Sequence, residues 1–121
     1  MMTDLTTEDQ VATLVDQFYD GVFRHPGLSP FFKNIDYPTH RPRMISFWNF
    51  VLLDKAGYTT QVWDAHAHMR IQPELFDEWV RLFCDTVDRL YAGEIAERAK
   101  LRAKTLGWTF AEKMKTKLNH E

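Results

Sequence analysis

Apolar residues recur along most of the chain at spacings of three and four, with charged residues between them. That period belongs to amphipathic helices rather than strands. Val11, Leu14, Val15, Phe18, Tyr19, Val22 and Phe23 form the first stripe. Thr6 or Thr7, followed three residues on by Asp9 or Gln10, is placed to start it with a capping box, and His25-Pro26-Gly27 ends it. Ser29-Pro30 predicts a cap and first-turn proline opening a short helix with Phe31 and Phe32. A second long helix is expected from near Thr39, striped by His40, Met44, Phe47, Trp48, Val51 and Leu52; Pro42 suits only its first turn. Asp54 to Thr60, with Gly57, reads as a loop, and Val62 to Met69 as a weakly patterned short helix. Pro73 opens a third long helix whose stripe is Leu75, Phe76, Trp79, Val80, Leu82, Phe83, Val87, Leu90 and Tyr91. On its other face Asp77 with Arg81 and Asp85 with Arg89 are spaced as i,i+4 pairs. After Ala92-Gly93, a last helix runs from about Glu94 into the Lys113–Leu118 region, with Ile95, Ala99, Ala103, Leu106, Phe110 and Met114 inward. No useful length alternates with period two, so the expected fold class is all-α.

A length of 121 residues predicts a single domain, 1–121, with one core to which every helix contributes. Aromatic residues make up 14% of the chain, with nine Phe and four Trp, which suits a large core or a pocket for a large flat apolar guest. A formal net charge of −2 gives no global basic field, so nucleic acid is not an expected partner. Cys84 is the only cysteine, which excludes an intrachain disulfide. The first residues are polar and acidic, unlike a signal peptide. The longest apolar stretch, Phe47 to Leu53, falls far short of the ~18 residues that suggest a membrane span. The expectation is a soluble, reduced, cytoplasmic protein.

Three stripes carry a polar atom on an apolar face. Tyr19 sits mid-stripe in the first helix, His40 heads the second and Trp79 lies centrally on the third. Taken singly, each also reads as an ordinary core aromatic or, for His40, a first-turn histidine. His66 and His68 are two residues apart and would point about 200° apart on a helix, so they cannot chelate one metal from one face. No four-ligand Cys/His set, nucleophile with its base, or glycine-rich phosphate loop is recognisable. An axial haem ligand, by contrast, needs only one histidine. The residues alone leave a haem pocket and a plain aromatic core as alternatives, with a small helical interaction module as a third.

Four segments in order resemble the truncated haemoglobins, most closely their third group. Gln17 to Phe23, QFYDGVF, resembles the segment carrying the distal-pocket tyrosine. Leu28 to Phe32, LSPFF, resembles the corner whose phenylalanine packs on haem. His40 to Leu53, HRPRMISFWNFVLL, resembles the distal helix. His66 to Phe83, HAHMRIQPELFDEWVRLF, resembles the proximal segment followed by the helix with the distal tryptophan. His66 lies 26 residues after His40 and 13 before Trp79, spacings that fit the family.

The resemblance implies a two-on-two globin holding haem b. It makes His66 the proximal iron ligand, with His68 exposed or near a propionate. Tyr19 and Trp79 become hydrogen-bond donors to a bound diatomic gas such as O₂, nitric oxide or CO, and His40 lines the distal mouth. Phe32, Met44, Phe47 and Phe83 wall the pocket, and Arg43 is positioned for a haem propionate. Two donors in a dry pocket slow ligand release, which suits scavenging, sensing or redox chemistry better than bulk oxygen transport. The alternative is an enzyme, a nitric oxide dioxygenase or peroxidase. With no flavin or nicotinamide motif in the chain, that reading requires an external reductase. A monomer or weak dimer is expected.

Overall fold

The computed structural model describes residues 2–53 and 69–119. The expected loop over 54–60, all but the last residue of the expected short helix over 62–69, and with them His66 and His68, lie outside the described residues. Five helices and no strand occur within them: α1 Glu8–Arg24, α2 Ser29–Phe32, α3 Tyr37–Leu53, α4 Leu75–Leu90 and α5 Glu94–Asn119.

The start of α1 is the expected capping box, formed by Thr7 and Gln10. The Gln10 amide donates to Thr7 Oγ1 and the Thr7 amide to Gln10 Oε1, both at 3.1 Å. Val11, Leu14, Val15, Phe18, Tyr19 and Val22 are buried along its inner side. Its exit is more ordered than a plain breaker. His25 caps α1, and its Nδ1 accepts from the amides of Gly27 at 3.0 Å and Leu28 at 3.2 Å. With Nδ1 accepting, Nε2 is the donor to Glu78 Oε2 of α4, 3.1 Å away. Ser29 does not cap α2. It is already inside the helix, and its amide donates to the His25 carbonyl at 2.8 Å.

Two departures have local causes. α3 starts at Tyr37, two residues before the expected position, because the Asp36 carbonyl accepts from the amides of both Thr39 and His40. Pro42 therefore lies beyond the first turn; it is exposed, as is Pro38, whose carbonyl loses its usual helical donor and can turn to water. On α4 the acid–base partners differ from the expected pairs Asp77–Arg81 and Asp85–Arg89. Arg81 meets Glu78 at 2.7 Å and Asp85 at 3.2 Å, while Arg89 reaches Gln17 of α1 at 3.5 Å.

α1 packs along α3, and α4 along α5; the pairs join where α1 meets α4 and α3 meets α5. The result is two pairs of helices stacked on each other, the two-on-two arrangement expected from the sequence. Gly107 allows α5 to close on α4, since a Cβ there would collide with the Val80 side chain. No helix among the described residues is long and apolar enough to cross a membrane.

The segment before α1 fastens the far end of this sandwich. Asp4 acts as a remote cap on α5, its carboxylate accepting from the amides of Ile95 at 3.0 Å and Ala96 at 2.9 Å. Gly93, at φ +146°, brings the chain so close that a Cβ would strike Asp4. Burial pushes the Asp4 carboxyl up, but the amides of Ile95, Ala96 and Leu5, with Arg98, hold it below the usual range. Asp4→Ala is expected to cost about 1 kcal/mol at neutral pH, read from urea midpoints. A lowered folded-state pKa contributes stability above the ordinary 3.8 and loses it as pH falls through the lowered value. The gap between wild type and variant should therefore close in acid; an undiminished gap there would show that the carboxylate charge is not what Asp4 contributes.

Candidate functional site

Aromatic rings from all of α1 to α4 meet in one continuous cluster. Phe18 lies at its centre, with Tyr19 at 4.9 Å, Trp79 at 5.5 Å and Phe83 at 5.2 Å between ring centroids, all edge-on. Phe83 is fully buried and stacks on Trp48 at 4.6 Å, and Phe47 meets Trp48 edge-on at 5.1 Å. On the other side Tyr19 packs against Phe32 of α2 at 6.1 Å and Tyr37 of α3 at 5.8 Å. Tyr19 and Trp79 thus flank one ring, Phe18, from different helices.

Neither the Tyr19 hydroxyl nor the Trp79 indole N–H has a hydrogen-bond partner among the described residues. Burial pushes the Tyr19 hydroxyl above the ordinary tyrosine range, so it carries its proton throughout the neutral region. The result is a protonated donor, 7% exposed, inside an aromatic shell.

α3 supplies an apolar face that is not closed. Trp48 and Leu52 are buried, but Met44, Phe47 and Val51 remain half-buried beside the core, with His40 half-buried at the head of the same stripe. Trp79 on α4 is half-buried too. Arg43 is exposed and makes no ion pair among the described residues. Phe32 is enclosed against Tyr19, and Phe83 lies behind Trp79 and Trp48 rather than on the half-open face. Of the expected site residues, Tyr19, Phe32, Phe47, Trp79 and Phe83 come together in the one cluster, Met44 packs against the same core, His40 and Arg43 stand on α3, and His66 lies outside the described residues.

Three participants carry no local signal in the sequence. Asp16, Tyr37 and Arg41 form a clamp between α1 and α3 beside Tyr19. The Tyr37 hydroxyl donates to Asp16 Oδ1 at 2.7 Å, and Arg41 grips the same carboxylate through Nε at 2.7 Å and Nη2 at 2.9 Å. The hydrogen bond from Arg41 holds Asp16 below the usual carboxylate range, and burial together with Asp16 pushes Tyr37 up. The clamp keeps α1 and α3 in register where Tyr19 and Tyr37 touch. Asn49 was legible only as a helical position between core residues, yet it is buried with Oδ1 unpartnered.

A separate cleft of about 530 Å³, lined by Thr6, Thr7, Glu8, Leu52, Leu53, Ile95 and Arg98, contains none of the expected site residues. Among the described residues no cluster of three or more His, Cys, Asp or Glu could hold a metal ion.

No protein-family model matches the chain. It is 26% identical over 114 residues to "Group 3 truncated hemoglobin ctb" of Campylobacter jejuni, covering 85% of this chain and 90% of that protein. Its fold is that of the crystal structure of a group III truncated hemoglobin from Campylobacter jejuni, with a TM-score of 0.84 over 94% of this chain and 95% of the other, at 23% identity.

Proposed function

We propose, for a chain that is a truncated globin most like group III, that it is a haem protein binding a diatomic gas. The observation that supports this best is the pair of donors, the Tyr19 hydroxyl and the Trp79 indole, with no partner among the described residues and both set against Phe18. The half-open face of Met44, Phe47 and Val51 fits a flat apolar macrocycle, which would cover the side chains that the helices leave partly in water.

In this reading the group is haem b, and when bound it supplies an iron centre for O₂, nitric oxide or CO. His66 would ligate the iron. Met44 and Phe47 hold one face of the ring system and exclude water, with Phe32 and Phe83 packed behind the distal aromatics. Arg43 offers its guanidinium to a propionate. Tyr19 and Trp79 donate to the gas ligand, and the clamp of Asp16, Tyr37 and Arg41 orients Tyr19. Donors of this kind favour retention, which points to scavenging, sensing or redox chemistry rather than bulk carriage.

The deciding experiment is an absorption spectrum of the purified protein after haem addition. A one-to-one complex with an intense Soret band that shifts with CO is expected. A chain that folds yet gives no such band would overturn the proposal. His40 then reports on access. It stands at the mouth of the stripe and touches no bound ligand in this reading, so His40→Leu is expected to speed CO association severalfold while leaving O₂ dissociation within about twofold; flash photolysis separates the two. An unchanged association rate would make His40 a surface residue of a helix start.

A further inference from the structure

α5 is not polar along its outer side. Leu101 is 64% and Trp108 69% exposed, the largest apolar exposures among the described residues. They are seven residues apart, close to two full turns, and so lie on one side of the helix. The same stripe continues to Glu94 and Arg98 toward the helix start and to Glu112 and Lys115 toward its end, all exposed.

We propose that this stripe is a self-association face, on which a second copy of the chain docks antiparallel about a two-fold axis passing between Lys104 and Thr105. Such an axis pairs positions equally distant from it. Leu101 then lies on the partner's Trp108, and Trp108 on the partner's Leu101, so that both exposed apolar side chains are covered together. Glu94 faces the partner's Lys115, and Arg98 comes within one residue of the partner's Glu112. Charge is opposite at both ends of the contact.

Two further features favour this arrangement. Glu97, the acid that would otherwise face the partner's Glu112, is held on its own helix by Lys100 at 2.9 Å. Glu112 is joined to Lys115 at 3.0 Å, so each end of the contact becomes a short network rather than an isolated pair. A parallel arrangement would set Glu94 on Glu94 and Trp108 on Trp108, with like charges meeting. An acidic partner protein is a poorer occupant, because Glu94 and Glu112 lie within the stripe. A contact built on one helix face falls below the ~1,200–2,000 Å² of a standard interface, so the dimer is weak and its exposed charge pairs chiefly fix the register.

Sedimentation velocity over a concentration series is expected to show a reversible monomer–dimer equilibrium. Arg98→Glu or Glu112→Arg alone, each acting at both symmetry-related pairs, should raise the dissociation constant about tenfold. The combined reversal should restore it. The axis position is tested by cross-linking. In a Cys84→Ser background, Thr105→Cys should oxidise to a disulfide-linked dimer, and Lys113→Cys, on another side of α5, should not. A protein that stays monomeric to millimolar concentration overturns the proposal, as does a combined reversal that fails to restore association. Equal cross-linking at positions 105 and 113 would also overturn it. The charge-reversal arm stands even if Cys84→Ser folds poorly.

Discussion

His66→Gly is expected to abolish stable haem retention, or to make it depend on added imidazole, while His68→Gly keeps the parent spectrum. An axial position takes one imidazole, and on a helix two histidines two residues apart would point about 200° apart. The resemblance to truncated haemoglobins, whose spacing to the distal helix and distal tryptophan His66 matches through His40 and Trp79, implies His66 as the ligand. The change removes the iron's only protein ligand in this reading, leaving apolar packing and propionate contacts to hold the group, so its effect should exceed that of any pocket substitution. Haem loss is followed from the Soret band while a haem acceptor protein is in excess. Imidazole rescue separates a lost ligand from a collapsed fold, because a misfolded chain has no cavity for the small molecule to enter. If His68→Gly loses haem and His66→Gly does not, the ligand assignment is wrong, although the two-on-two fold would stand.

The helices were legible because their stripes are strong and their boundaries carry chemistry. Thr7 with Gln10, Gly93 before α5 and the breaker at His25-Pro26-Gly27 all act near their own positions in the chain. The α3 start was misplaced because Pro42 was kept in the first turn and Asp36 was passed over, whose carboxylate accepts from the Thr39 hydroxyl at 2.6 Å and whose carbonyl accepts from the Thr39 and His40 amides. Long-range polar contacts were opaque for another reason. Asp16 and Arg41 are 25 residues apart, and Asp4 caps a helix 91 residues away. Each has ample charged competitors, so only the packing of the helices selects the partner. His25 illustrates the same limit: it reads as part of a breaker, but its ring both closes the turn and ties α1 to α4. Tyr19 and Trp79 were identifiable as polar atoms on apolar stripes. That both would flank Phe18 depended on the α1–α4 packing, which periodicity alone does not specify.

Tyr19→Phe and Trp79→Phe are each expected to speed O₂ dissociation, and their combination to depart from the product of the single effects. A net hydrogen bond contributes about 1–1.5 kcal/mol, and 1.4 kcal/mol is about tenfold in rate, so the pair together should account for roughly 10–100-fold. The values belong at the upper end if the pocket is dry, since a donor in low dielectric has no water competing for its acceptor. Tyr19 should show the larger single effect. Its hydroxyl is held in a tight shell of Phe18, Phe32 and Tyr37, with α1 and α3 pinned by Arg41 on Asp16. Trp79 is half-buried and stacks on Phe83 at 6.3 Å, leaving its ring more room to adjust. Non-additivity follows if both groups donate to one small ligand, because loss of either lets the other re-optimise. Trp79→Phe also removes packing volume, so its urea midpoint must be measured beside the rate. Arg41→Met provides the internal control: it leaves both donors in place but removes the guanidinium that pins Asp16 to α3, and should raise the off-rate by less than Tyr19→Phe does. If Tyr19→Phe, Trp79→Phe and the double variant all stay within about twofold of the parent, the two donors do not reach the ligand, and their meeting at Phe18 is core packing alone.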